Sequence, residues 1–155
     1  MQDHELRTTM LAALDAEYSV LMARCRKYDG AQLRAAVRAD GWTAHDILAH
    51  VADATYGLSL LTLGEAQPTL PTDPQTGYLS PHEYNEQRRQ KNADLSVEKL
   101  LSRLESAFAT ARRAIAETSD LAADGPYGPP TTRHDWLQRI VDHAQGHREE
   151  LAELL

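Results

Sequence analysis

Apolar residues recur every three or four positions along most of this 155-residue chain, which places them on one face of an α-helix. No segment shows the sustained alternation of β-branched and polar residues that is typical of a half-buried strand. Alanine, leucine, glutamate and arginine, which favour helices, are frequent throughout. The pattern therefore predicts an all-α fold.

Capping signals divide this pattern into four long helices, which we call predicted helices one to four. Predicted helix one starts near Asp3 and ends around Gly30, where glycine can take a left-handed closing conformation. A short helical piece over 31–39 follows. Predicted helix two starts at Thr43, in a T-A-H-D sequence that resembles a capping box, and ends by Gly64. Its apolar face comprises Ile47, Val51, Ala54, Leu58 and Leu61.

Predicted helix three starts at Ser80-Pro81, where serine is a good N-cap and proline suits the first helical position. We expect it to break or kink near Asn92, with Ser96 capping the second part. Predicted helix four starts at Thr132 and runs to the C-terminus.

Two loops rich in proline separate these helices. The loop before Ser80 contains Pro68, Pro71 and Pro74 and is long enough to cross the end of a bundle. A second loop covers 119–131. We therefore predict one domain over residues 1–155, a four-helix bundle with a long crossover between predicted helices two and three.

The charge and composition exclude several classes of protein. With 16 basic and 23 acidic residues the net charge is −7, which argues against binding nucleic acid through its phosphates. The basic clusters at 88–91 and 112–113 are interrupted by acids, and we expect them on solvated helix faces. No apolar run approaches the roughly 18 residues of a membrane span, and the polar N-terminus has no signal core, so we expect a cytoplasmic protein.

Cys25 is the single cysteine, so the chain can form neither an intrachain disulfide nor a thiolate metal cluster. It lies on the apolar face of predicted helix one. We interpret it as a small core residue.

Three histidines stand out because they fall on apolar helix faces. His143 and His147 lie four residues apart within the arc of predicted helix four that carries Trp136 and Ile140. His50 lies at the edge of the apolar face of predicted helix two. Three neutral imidazoles from two facing helices would suit divalent zinc, nickel or iron and leave positions for water or substrate.

Other readings of these histidines stay open. A histidine on an apolar face is often a hydrogen-bonded core residue, and an i, i+4 pair also arises by chance. The sequence H-A-Q-G-H lacks the glutamate of the H-E-x-x-H metalloprotease motif, so any base must come from elsewhere. Asp53 and Glu150, each one turn from a candidate ligand, are candidates for that role or solvated charges. Trp42 and Tyr127 are candidate pocket walls or structural residues.

The sequence also resembles a known family. The segments G-W-T-A-H-D-I-L-A-H-V-A-D (41–53), Y-N-E-Q-R-R-Q-K-N-A-D-L-S (84–96) and D-H-A-Q-G-H-R-E-E-L (142–151) resemble the DinB/YfiT-like superfamily. The resemblance implies an up-down-down-up four-helix bundle in which His50, His143 and His147 hold a divalent metal. Relatives include thiol-dependent S-transferases, a mycothiol-dependent maleylpyruvate isomerase and hydrolases of reactive natural products. It also implies a low-molecular-weight thiol as cofactor, and a homodimer.

Two functional hypotheses follow. In the first, the protein is a metal-dependent transferase or hydrolase that activates water or a thiol against an electrophilic small molecule, in detoxification or resistance. Its catalytic residues are not identified by the sequence. In the second, the bundle binds or sequesters a small molecule without catalysis. Because the sequence stops a few residues after the last motif, we expect the protein to lack the isomerase's further C-terminal domain, which argues against the isomerase reaction itself.

Overall fold

The computed structural model describes residues 2–68, 75 and 79–155, and this part of the chain is all-helical, as predicted. Its helices are α1 (Gln2–Lys27), α2 (Gly30–Ala35), α3 (Ala44–Leu63), α4 (Pro81–Asn92), α5 (Val97–Glu117) and α6 (Arg133–Leu154). No helix among them is both long enough and apolar enough to span a bilayer.

The four long helices α1, α3, α5 and α6 form the bundle. Helix α3 packs against α5 and α6, and α1 packs against the same two helices. Their inward faces form one core, which includes Leu14, Leu48, Leu104, Phe108 and Ile140. The up-down-down-up order stays a prediction, and the crossover falls largely on residues 69–74 and 76–78, outside the described residues.

Predicted helix three is two helices, and the break lies where the sequence indicates. Helix α4 ends at Asn92, and Ser96 caps α5 by accepting a hydrogen bond from the Lys99 amide at 3.2 Å. The Asn92 side chain is buried and donates to Asp53 of α3 at 2.8 Å. At the break, the polar side chain of Asn92 therefore links α4 to α3 through a hydrogen bond.

The prediction of a left-handed Gly30 at the end of the first helix is wrong. Gly30 is the first residue of α2, because Asp29 caps that helix. The Asp29 carboxylate accepts from the Gln32 amide at 2.8 Å, and the Gln32 side chain accepts from the Asp29 amide at 2.9 Å. This reciprocal box starts a new helix immediately after the first.

Helix α2 ends at Ala35, four residues earlier than predicted, because the chain then forms a closed loop. The Ala44 amide donates to the Ala36 carbonyl at 2.8 Å, and Val37 and Thr43 form an isolated antiparallel bridge. At the tip, Gly41 takes a φ of +92°, a conformation that favours glycine. We call residues 36–43 the α2–α3 loop.

The buried face of α3 differs in part from the predicted one. Ile47 and Val51 are buried as expected, but in the second half of the helix the buried positions are Thr55, Ser59 and Thr62. The Ser59 hydroxyl donates to the Thr55 carbonyl at 2.6 Å, and the Thr62 hydroxyl donates to the Leu58 carbonyl at 2.8 Å. Because the Ser59 and Thr62 hydroxyls bond to their own helix, they enter the core without losing a hydrogen bond, whereas the buried Thr55 hydroxyl has no partner within the described residues.

Cys25 is fully buried in the core, as predicted. Burial raises the pKa of its thiol to about 12, so the thiol stays protonated at neutral pH. A reactive thiolate at this position is therefore excluded.

Candidate metal centre

Three imidazoles from two helices meet inside the bundle. His50 of α3 lies with its Nε2 atom 3.0 Å from Nε2 of His143 in α6. Nε2 of His147, one turn further along α6, lies 3.1 Å from the same atom. Each of the three rings offers a nitrogen atom within 4.8 Å of a nitrogen of the other two, and within the described residues no other group of three His, Cys, Asp or Glu side chains is this close.

The local sequence sets this meeting point. Helices α3 and α6 open with the same box: Thr43 and Thr132 each accept from the backbone amide of an aspartate three residues on, and that aspartate accepts in return. The two helices pack against each other. The spacing of His143 and His147 then points both rings at α3, because residues four apart share a helix face.

The short contacts cannot all be hydrogen bonds. A neutral imidazole has one donor and one acceptor nitrogen, so Nε2 of His143 makes one good hydrogen bond at most. An ion held at about 2.0–2.1 Å by each nitrogen would place neighbouring nitrogens roughly 3.0–3.4 Å apart. The observed 3.0 and 3.1 Å fit that range. Nδ1 of His143 is buried and has no hydrogen-bond partner within the described residues.

A chain of charged side chains orients the third imidazole. Nδ1 of His147 lies 3.3 Å from a carboxylate oxygen of Glu150. That carboxylate accepts from Arg38 at 2.7 Å, and Arg38 is also bound by Asp40 at 2.7 and 2.9 Å. With its Nδ1 proton donated to Glu150, His147 presents a free lone pair at Nε2, as metal-binding histidines commonly do.

Burial keeps the three rings neutral. Burial, followed by the nearby His147, lowers the pKa of His50 to about 4 and that of His143 to about 3. Burial also lowers the pKa of His147, although Glu150 opposes the shift. The cluster is therefore uncharged at neutral pH, which is the form that binds a metal.

An aromatic side chain from the α2–α3 loop covers one side of the cluster. The Trp42 indole meets the His50 ring edge-on, with 5.7 Å between ring centroids. The guanidinium groups of Arg38 and Arg89 lie 5.3 and 5.9 Å from the Trp42 ring. Trp42 therefore packs against the cluster, which fits both readings of it, pocket wall and structural residue.

Asp53, a candidate base, bonds to groups outside the cluster. Its carboxylate accepts from Nε of Arg88 at 3.1 Å and from the Asn92 side chain at 2.8 Å. The cluster at 88–91, which we expect on a solvated face, is only partly solvated: Arg88 is half-buried, and so is Arg89, which pairs with Glu86 and lies 3.5 Å from Asp46. Their long side chains reach across to α3 acids that the helix pattern alone does not place opposite them.

Of the two roles that the sequence allows for Tyr127, pocket wall or structural residue, its packing fits the second, and two loop residues beside the site carry no sequence signal. Tyr127 is 48% exposed and packs on Trp136, with 5.3 Å between centroids, and no contact joins it to the histidines. Arg38 and Asp40 lie in the α2–α3 loop, where no periodic signal marks them. Only the closed geometry of the loop brings them to Glu150.

The comparisons with known proteins agree with this architecture. The sequence profile described as "Mycothiol maleylpyruvate isomerase N-terminal domain" matches residues 14–152. The chain belongs to this family. Membership confirms the resemblance to the DinB/YfiT-like superfamily. No curated protein matches the chain significantly.

Two solved structures share the family fold. A histidine-to-alanine mutant of the mycothiol-dependent maleylpyruvate isomerase aligns with a TM-score of 0.71 at 20% identity. The isomerase without that mutation aligns with a TM-score of 0.69 at 19% identity. Each alignment covers 96% of this chain and 62% of the isomerase chain. The chain thus spans less than two thirds of the isomerase, and at this identity the likeness establishes the fold alone.

Proposed function

We propose that His50, His143 and His147 bind one divalent metal ion and that the protein is a metal-dependent enzyme. The observation that carries the proposal is the convergence of three neutral Nε2 atoms, two pairs of which are 3.0 and 3.1 Å apart. Three imidazoles without a thiolate or carboxylate suit zinc, nickel or iron. Three protein ligands also leave a position for a further molecule, as in catalytic zinc sites.

The ion would supply a positive charge that lowers the pKa of a bound thiol or water and makes it a nucleophile near neutral pH. The surroundings favour a thiol. A free thiol starts from a pKa of about 8.5, whereas water starts from about 15.7, so a thiol needs no separate base. Both carboxylates near the cluster are already paired, Glu150 with Arg38 and Asp53 with Arg88.

The other residues would position the ligands and limit solvent access. Glu150 holds the His147 ring in one tautomer, and Arg38 holds Glu150. Trp42, which lies edge-on to His50, would limit the approach of water from that side. Asp40 fixes Arg38 from within the α2–α3 loop. The loop therefore acts as part of the site although it carries no ligand.

The reaction we propose is transfer of a low-molecular-weight thiol to an electrophilic small molecule. The family supports a thiol, since the solved relatives are mycothiol-dependent, and mycothiol is the first thiol to test. Hydrolysis by bound water is the related reaction at the same site. A cytoplasmic location and a homodimer accompany this proposal as inferences from the family.

The proposal is tested with protein loaded with cobalt, which takes the place of zinc and absorbs visible light. Addition of mycothiol should produce a sulfur-to-cobalt charge-transfer band, and the loaded protein should accelerate conjugation of the thiol to an electrophile such as iodoacetamide. His147→Ala should lose both the band and the rate. His4→Ala, which changes an exposed histidine of α1, should keep both.

Two outcomes would contradict the enzyme proposal. The protein could bind cobalt but neither bind a thiol nor accelerate the reaction of a thiol or water with an electrophile. That result would favour the non-catalytic binding bundle. If the wild-type protein does not bind one cobalt ion per chain, the proposal of a metal site is itself contradicted.

A further inference from the structure

A second candidate site lies in a groove outside the histidine cluster. The groove has a volume of about 400 Å³ and runs along α3, α4 and α5. We call it the arginine groove. Its lining includes Asp53, Tyr56, Arg88, Ser102, Arg103 and Ser106, and none of the three clustered histidines lines it.

The two arginines carry more hydrogen-bond donors than their neighbours use. Each guanidinium has five N–H groups. Within the described residues, Arg88 donates from Nε to Asp53, and Arg103 donates from Nη1 to Asn92 at 2.9 Å and lies 4.0 Å from Asp53. The remaining N–H groups have no protein acceptor in the described part of the chain. They are available to a ligand.

The charge of the groove is also incompletely balanced. Two guanidinium groups face one carboxylate, Asp53, so the lining carries one excess positive charge. The Arg88 and Arg103 side chains are 32% and 44% exposed, so the groups can be reached from solvent without unfolding. Guanidinium donors bind carboxylates in a bidentate, charge-assisted geometry.

The rest of the lining suits an organic body rather than a bare ion. Tyr56 is 48% exposed, so its ring offers a flat apolar surface at one wall. Ser102 and Ser106 lie four residues apart on α5 and present hydroxyls on one face. A volume of 400 Å³ lies in the range of small-molecule sites.

We infer that the arginine groove binds a small organic carboxylate, with Arg88 and Arg103 on the carboxylate and Tyr56 against the body of the molecule. Asp53 pairs with Arg88 and lies 4.0 Å from Arg103, which holds both guanidinium groups in the groove. This inference does not require the metal site, because no proposed metal ligand lines the groove.

Benzoate is the probe, because it joins one carboxylate to an aromatic body. An NMR titration of the full chain, with and without zinc, should give a dissociation constant on the order of 1 mM. The shifted amides should be those of the groove. Benzamide, which has the same shape without the charge, should not bind measurably. Inorganic phosphate should bind more weakly than benzoate.

Matched arginine variants on α5 separate binding from folding. Arg103→Gln should weaken benzoate binding about tenfold or more, through loss of a charge-assisted contact. The control is Arg112→Gln, which removes an arginine that is exposed to a similar degree and pairs with Asp15 on the other side of α5. This change should leave benzoate binding unchanged. Ser106→Glu, at an exposed wall position, should abolish binding by adding an acid while the helical circular-dichroism spectrum is retained.

Each alternative outcome overturns the inference. Equal binding of benzamide and benzoate would mean that the groove does not recognise the negative charge of the carboxylate. Phosphate that binds as tightly as benzoate with the same variant dependence would make the groove a phosphate site. If Arg103→Gln lowers stability but not benzoate affinity, the two arginines only join α4 and α5 to α3.

Discussion

Replacement of His143 by alanine should abolish the stabilisation of the protein by zinc. His143 is the shared neighbour in the cluster, with Nε2 3.0 Å from His50 and 3.1 Å from His147. Its loss leaves two imidazoles, which bind a divalent ion far more weakly than three. The comparison therefore has four arms, wild type and His143→Ala, each with chelator and with zinc.

The expected size of the effect follows from mass action. An ion present at 100 times its dissociation constant stabilises a native protein by about 2.7 kcal/mol. For a chain of this length each kcal/mol raises the melting temperature by roughly 2–4 °C. Zinc should thus raise the melting temperature of the wild type by roughly 5–10 °C and that of His143→Ala by almost nothing.

The chelator arms separate a metal site from a hydrogen-bonded core. Without metal, His143 has a buried, unpartnered Nδ1 atom and two nitrogen neighbours that it cannot both satisfy. Removal of these unsatisfied nitrogens should offset most of the cost of the cavity that the side chain leaves. His143→Ala should therefore destabilise the metal-free protein by less than about 1 kcal/mol.

Differential scanning calorimetry measures all four arms, with His4→Ala as the control histidine. An equal zinc shift in wild type and His143→Ala would refute the reasoning. A loss of several kcal/mol in the chelator arm would also refute it, since that result belongs to core histidines that bond to each other.

Three further predictions use other parts of the structure. In metal-free protein, His50 and His143 stay neutral to about pH 4 and 3, whereas an unfolded histidine protonates near pH 6.5. The unfolded chain therefore binds more protons than the folded chain below about pH 6.5. At pH 5 the free energy of unfolding, measured by urea denaturation, should be lower than at neutral pH by ~2 kcal/mol per imidazole. A free energy that does not change with pH would contradict the burial of the rings. Glu150→Ala should weaken zinc binding about 10–100-fold in a competition titration with a chromophoric chelator, and unchanged affinity would show that Glu150 does not orient His147. Leu104→Ala should destabilise the protein by about 2–5 kcal/mol in the same urea assay, because the side chain is fully buried between the bundle helices, and a smaller loss would place α5 differently.

The helices could be predicted from sequence because their signals are local. Thr43, Ser80 and Thr132 each cap a helix at the position the sequence indicates, since a capping box needs only four residues. The approach of His143 to His147 follows from their i, i+4 spacing. That His50 meets them depends on how α3 packs against α6, and there the family resemblance supplied what spacing alone left open.

Features that depend on contacts distant in sequence could not be predicted in this way. Arg38 reaches Glu150 across 112 positions, and Arg88 reaches Asp53 across 35. The apolar pattern predicts only part of the buried face of α3, because the polar Ser59 enters the core by bonding to its own helix. The prediction for Gly30 is wrong because glycine suits a helix end, whereas the adjacent Asp29 forms a capping box that starts a helix.

The most direct test of the metal centre is anomalous diffraction at the zinc edge from crystals grown with zinc and without chelator. We expect one peak about 2.0–2.1 Å from the Nε2 atoms of His50, His143 and His147. The contrary result is the absence of a peak, with the three imidazoles turned apart or bonded to one another through water. That result would contradict a shared ion, and the protein would then be a helical bundle with buried histidines.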